Sequence, residues 1–204
     1  MKLYYMPGAC SLASHITLEW VGEPYETVRI AHDRLKSPEY LAVNPLGAVP
    51  ALELLDGTVL TQNASVLAYL ADRHPEARLE GDGTPQSRAE VHRWFGMLNS
   101  DMHPAFKPYF GSTAYLGDEA VIEKTKDNAR ERLDFLFGLV NDALRNRDWI
   151  AGHRSIADPY LFVMTRWVHD QGIDVSGLGE LARHHRTMNE DATVMKVLKD
   201  EGLA

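Results

Sequence analysis

Cysteine is nearly absent from this chain: among 204 residues there is one, Cys10. A lone cysteine excludes an internal disulfide, so the fold needs no oxidising compartment. Long hydrophobic runs are missing too, and no stretch approaches the roughly 20 apolar residues of a membrane span. Positive charge is in the minority, with 21 lysines and arginines against 29 aspartates and glutamates, a formal net charge of −8. That balance argues against nucleic acid or an anionic membrane as the main partner, while leaving room for a local basic pocket. None of the histidines, the His184-His185 pair included, falls in a metal-ligand pattern such as His-Glu-x-x-His, so no metal is expected. Internal repeats and low-complexity tracts are also lacking. The run Met1-Lys2-Leu3-Tyr4-Tyr5 enters a strand without the apolar segment of a signal peptide, and the expected location is the cytoplasm. The rest is ordinary for a globular chain, 45% hydrophobic and 25% charged, with material for one large domain or two small ones.

The first 75 residues mix strand and helix signals. Lys2–Tyr5 and Thr27–Ile30 read as strands, and between them Leu12, Ile16, Leu18 and Val21 keep helical spacing until Gly22. Strand–helix–strand at this spacing is a βαβ unit with parallel strands. Val49–Leu54 and Val59-Leu60 form a second strand pair around the hairpin signal Asp56-Gly57. Thr61 then introduces a helix through Val66, Leu67, Tyr69 and Leu70 that stops before His74-Pro75. Turn residues crowd the stretch to Pro85, and everything beyond has helical spacing: Gln86 to Phe110, broken at Pro104 and Pro108; Glu119 to Arg147; and a helix from Ser155-Ile156-Ala157-Asp158. That last tetrapeptide has the form of a reciprocal cap, which favours a structural over a catalytic role for Asp158. The expected fold class is therefore α/β plus all-α, a βαβ-ββα domain over residues 1–76, a linker over 77–85 and a helical domain over 86–204.

Two features carry chemistry. Cys10 follows Pro7-Gly8 at the start of the first helix, where free N–H groups and the dipole favour a thiolate and draw its pKa from about 8.5 toward neutrality. A small buried apolar residue is the competing reading. Pro50 opens a strand, where a missing N–H is tolerated. A cis Val49-Pro50 bond would turn the Val49 backbone outward to pair with a ligand peptide, although an ordinary trans proline is more common.

Taken with their surroundings, these residues resemble a known family. The runs Lys2-Leu3-Tyr4-Tyr5-Met6-Pro7-Gly8-Ala9-Cys10-Ser11-Leu12-Ala13-Ser14-His15 and Ala42-Val43-Asn44-Pro45-Leu46-Gly47-Ala48-Val49-Pro50-Ala51-Leu52 are similar to those of thioredoxin-fold glutathione-binding domains. With Leu60-Thr61-Gln62-Asn63, Tyr69-Leu70-Ala71-Asp72, Ala157-Asp158-Pro159-Tyr160-Leu161-Phe162 and Glu201-Gly202-Leu203, the whole chain resembles the cytosolic glutathione transferases, the bacterial beta class above all.

The resemblance implies roles. Cys10 would lie beside the glutathione sulfur and hold it as a mixed disulfide, Val49 would pair its backbone with the cysteinyl unit, and Pro50 would be cis. Gln62 and Asn63 would bind the γ-glutamyl carboxylate, which suits a helix N-terminus, although the family more often has an acidic and a small residue there. His103, in Ser100-Asp101-Met102-His103, would face the cysteine and favour its thiolate as imidazolium; without the resemblance it reads as a helix-ending cation before Pro104. Gly96 stands where relatives have an asparagine. Ser11 is either a donor to sulfur or a helix cap, Lys36 either a partner of the glycyl carboxylate or a solvated lysine. Phe106, Tyr109, Phe110 and Trp167 would line an apolar electrophile pocket, with core packing the alternative for Trp167.

The function so implied is glutathione conjugation to apolar electrophiles, glutathione-dependent thiol–disulfide exchange through Cys10, or both. Glutathione would be the co-substrate, a small electrophile or disulfide the second partner, and the assembly a homodimer. A non-catalytic relative that binds ligands or a partner chain is the rival reading. The resemblance allows Cys10, Ser11 or His103 to activate the sulfur and names no particular electrophile.

Overall fold

A computed structural model describes all 204 residues. Strand β1 (Lys2–Tyr5) buries Leu3 and Tyr5 on one face, and helix α1 (Ser11–Val21) follows and ends on Gly22. Gly22 adopts φ 71°, the left-handed conformation that glycine supplies without a Cβ penalty. Strand β2 (Glu26–Arg29) returns parallel to β1, as the βαβ spacing predicts, one residue earlier than expected. The short helix α2 (Pro38–Leu41), capped by Ser37, leads to β3 (Ala51–Glu53) and β4 (Val59–Thr61). The sheet order is β2-β1-β3-β4, with β3 antiparallel to both of its neighbours.

Helix α3 (Asn63–Arg73) begins two residues later than the sequence suggests. The cause is Gln62, whose φ of 71° and ψ of 130° lie outside the helical region and break the chain between strand and helix. A 3₁₀ turn, Pro75–Ala77, opens the turn-rich stretch. Helix α4 (Pro85–Met97) starts at a proline, where the missing N–H costs nothing, with Thr84 as its cap. The periodicity expected to continue to Phe110 is interrupted earlier than its prolines indicate: a π-helical turn, Leu98–Met102, precedes the single turn α5 (His103–Ala105) and a 3₁₀ turn, Lys107–Phe110. Then follow α6 (Glu119–Ala143), α7 (Ala157–Asp170), α8 (Gly179–Glu190) and α9 (Ala192–Glu201).

The two halves share a core. Leu3, Tyr5 and Leu52 of the sheet pack on Leu18, Val66 and Leu70 of α1 and α3. Leu12, Ile16 and Leu67, on the same two helices, join Leu98, Phe137, Leu161 and Phe162 of the helical half in one larger cluster. Helices α1 and α3 therefore hold the sheet and the helical half in a fixed relation, and the site forms at that seam.

Candidate active site

Cys10 stands at the N-cap of α1, next to the loop that precedes β3. That loop is built to hold one carbonyl: Tyr40 Oη and Asn44 Nδ2 both donate to Ala48 O, at 2.8 and 2.6 Å, while Asn44 Oδ1 accepts from Leu46 N–H. Gly47 has φ 55°, and a Cβ there would lie 2.5 Å from Leu35 O, so only glycine lets the loop close. The Val49-Pro50 bond is cis. The Cys10 thiol donates to Val49 O at 3.3 Å, which brings the cysteine and the ligand-strand candidate together.

From the other side, Asn63 at the start of α3 reaches back across the seam. Its Nδ2 donates to Cys10 O at 2.9 Å and its Oδ1 accepts from Ser14 Oγ at 2.7 Å, so the side chain clamps α3 to α1. The first N–H groups of α3 have no side-chain cap and remain available to an anion. Gln62 holds its positive φ beside them, a local strain of the kind that clusters at binding sites.

These residues line a cleft of about 320 Å³. One wall carries Cys10, Val49, Pro50, Gln62 and Asn63; the helical half supplies Asn99, His103, Pro104, Lys107 and Tyr160. No carboxylate lines it, and Lys107 is its one full charge. In a chain of net charge −8 the cleft is a local exception in carrying only positive charge.

The electrostatics correct two expectations. Burial pushes the Cys10 thiol up, to about 12, against the opposing pull of the Cys10 and Ser11 N–H groups and the Asn63 amide. Desolvation thus outweighs the helix N-terminus, and the group is a thiol that donates to Val49 O rather than a thiolate. His103 moves the other way: burial, helped by the nearby Lys107 charge, lowers it to about 4. It is a neutral imidazole at neutral pH, not the imidazolium expected.

Other candidates fall outside the cleft. Ser11 is fully buried, and its hydroxyl donates to Met6 O and accepts from Met6 N–H, both at 3.2 Å, which stitches the turn before Cys10. Lys36 Nζ donates to Leu46 O at 2.6 Å on the outer side of the loop. Phe106 is buried in the core, Tyr109 donates to Lys126 O, and Trp167 Nε1 donates to Gly8 O at 2.8 Å. Of the four aromatics only Phe110 is widely exposed, its ring edge-on to Trp167. Trp167 positions the cysteine turn, since Gly8 is held on both sides: its N–H donates to Glu201 Oε2 at 3.1 Å. Glu201 also meets His15 Nδ1 at 2.8 Å, so the last helix pins the loop that carries Cys10.

The cleft contains residues that sequence reasoning did not single out as site residues. Asn99, three positions after Gly96, supplies an amide to the cleft, and the π-helical turn that places it has no clear sequence signature. Tyr160 looks like core and is 1% exposed, yet its hydroxyl lies 2.6 Å from His103 Nδ1.

A four-stranded βαβ-ββα sheet with a cysteine at its first helix and a cis proline before its third strand is thus joined to a helical second half. A family model described as the glutathione S-transferase N-terminal domain matches residues 8–73. Over the full length of both chains the sequence is 49% identical to a glutathione S-transferase of Xanthomonas campestris pv. campestris. The solved glutathione S-transferase from Xylella fastidiosa superposes with a TM-score of 0.96 at 46% identity, covering 100% of this chain and 99% of that one. A beta-class glutathione S-transferase of Sphingomonas chungbukensis superposes with a TM-score of 0.89 at 35% identity, over 100% of each chain. The chain belongs to the bacterial glutathione S-transferases and is an enzyme of that family.

Proposed function

We propose that glutathione lies across the Val49-Pro50 loop with its sulfur at Cys10, its cysteinyl backbone on Val49 and its γ-glutamyl carboxylate at the N-terminus of α3. One observation carries this reading: Cys10, the Val49 backbone and the uncapped α3 N-terminus converge on a cleft without a carboxylate. The peptide units find backbone partners, the carboxylate finds N–H groups, and no acidic side chain opposes them. The reaction is conjugation: the glutathione thiolate attacks an electrophilic carbon, and the leaving group departs with the electron pair.

A small electrophile approaches over the helical wall, past Pro104 and Lys107. Residues 1–76 then hold glutathione, while residues 86–204 take the electrophile and bring His103 to the sulfur, the two joined by the 77–85 stretch. Thiol–disulfide exchange through Cys10 is a second activity of the same cleft, with another glutathione resolving the mixed disulfide because the chain has no second cysteine. The working assembly is a homodimer in the cytoplasm, and a monomer by light scattering would count against the dimer.

Titration calorimetry tests the binding mode. Glutathione is expected to bind, and the dipeptide Cys-Gly, which lacks the γ-glutamyl unit, to bind at least about tenfold more weakly, a loss of about 1.4 kcal/mol. Equal affinities would show that the α3 N-terminus holds nothing, and no heat with glutathione would sink the whole reading.

A further inference from the structure

We propose that Tyr160 is a positioning residue that fixes the tautomer of His103, so that His103 meets the glutathione sulfur as an Nε2–H donor and not as a base. The inference rests on the placement of glutathione's sulfur at Cys10 given above. It begins from a group that a core aromatic does not ordinarily present: Tyr160 is 1% exposed, but its hydroxyl opens on the cleft 2.6 Å from His103 Nδ1. The two rings meet edge-on at 5.9 Å, and Trp167 packs on the imidazole at 5.0 Å, so the histidine is confined.

Two arrangements of hydrogen are available. In one, Tyr160 O–H donates to His103 Nδ1. In the other, His103 Nδ1–H donates to Tyr160 Oη and the phenol turns to Asn99 Oδ1, which lies 3.4 Å away. A hydroxyl bond is at its best near 2.7–2.8 Å and poor at about 3.4 Å, so the first arrangement keeps the phenol proton in the strong bond. Protonation states agree with it. Burial holds the phenol above its ordinary range, with the neighbouring Cys10 adding to the effect and the Asn63 amide opposing it, so it keeps its proton. The imidazole is neutral, and a neutral imidazole carries a single N–H. With Nδ1 accepting from Tyr160, that hydrogen sits on Nε2.

The chemical consequence is specific. Nδ1 is occupied by the phenol and Nε2 already carries hydrogen, so neither nitrogen can take the proton of a thiol. The glutathione proton leaves to water, and the site stabilises the thiolate that remains through Nε2–H, as preorganised donors stabilise developing anions elsewhere. The titratable and charged groups facing His103 are Tyr160 from α7, Cys10 from the start of α1 and Lys107 from the turn that follows α5; no carboxylate in the cleft competes for the Nε2 hydrogen.

Long-range ¹H–¹⁵N correlation of the histidine ring nitrogens tests this on the full chain, without glutathione. At pH 7 the wild type is expected to show His103 as the Nε2–H tautomer. In Tyr160→Phe the ring is expected to populate Nδ1–H and its protonation midpoint to rise, because a donor that favoured the neutral ring is gone. For conjugation, kcat is expected to fall by about tenfold or more, with the KM for glutathione within about twofold. A wild-type Nδ1–H tautomer overturns the proposal whatever the variant does. So does a Tyr160→Phe protein whose tautomer, midpoint and kcat are unmoved. A failure of glutathione to bind is detected separately by calorimetry and leaves the ring-nitrogen result readable.

Discussion

Replacing Asp158 with alanine is expected to lower the unfolding free energy by about 3–5 kcal/mol, the loss typical of breaking a buried hydrogen-bonded polar pair. Asp158 is fully buried, and its carboxyl group accepts from four donors. Ile150 N–H and His184 Nε2 meet Oδ1 at 2.9 and 3.1 Å; Ser155 N–H and Oγ meet Oδ2 at 2.8 and 2.9 Å. The reciprocal cap read from Ser155-Ile156-Ala157-Asp158 is present, and it is only half of what the residue does. Asp158 also anchors the loop entering α7 and ties α7 to α8. Alanine would leave two backbone N–H groups and an imidazole buried without partners, each costing about 1–3 kcal/mol before relaxation. Urea unfolding gives the answer: a loss below about 1 kcal/mol would mean that water replaces the carboxyl group and that the network is dispensable. Asp158→Asn, which keeps the shape and one acceptor, should fall between the two.

Cys10→Ser is expected to separate the two chemistries of the cleft. Thiol–disulfide exchange should drop by on the order of 10³-fold or more, about 4 kcal/mol of barrier, because a hydroxyl does not form the mixed disulfide. Conjugation should stay within about threefold of wild type, since in that reaction the attacking sulfur belongs to glutathione. A pH series sharpens the point. With the thiol held at about 12, its thiolate fraction rises about tenfold per pH unit, so exchange through Cys10 should climb from pH 7 to 10 without a plateau. A plateau near neutrality would show a depressed pKa and restore the helix-N-terminus expectation. Loss of conjugation in a folded, glutathione-binding Cys10→Ser protein would make the cysteine necessary for both reactions.

The sequence was most legible where backbone constraints are local. Gly22 ends α1 because its φ is positive, and Asp56-Gly57 turns the β3–β4 hairpin because the geometry favours those residues. Where strain or packing decides, the reading slipped. β3 was expected from Val49 but pairs only from Ala51, since Val49 and Pro50 stay outside the ladder and face the cleft. α3 was expected from Thr61, and a single strained residue, Gln62, delays it. The chemical candidates Cys10, Val49, Pro50, Gln62, Asn63 and His103 meet in one cleft. Their protonation was not legible, because burial opposes the helix dipole at Cys10 and the cationic role at His103, and sequence carries no measure of burial at a seam. Tyr160 and Trp167 show the same limit from the other side: both are buried aromatics, and only their polar tips, on His103 and Gly8, give them a part in the site.

The placement proposed for glutathione puts its sulfur at Cys10, between the Val49 backbone and the helical wall. A crystal structure of the chain with glutathione tests it most directly. The predicted result is the glutathione sulfur against Cys10 Sγ, its cysteinyl amide paired with the Val49 backbone and its γ-glutamyl carboxylate on the first N–H groups of α3. A glutathione bound outside this cleft, or in it with the sulfur turned away from Cys10, would rule this placement out.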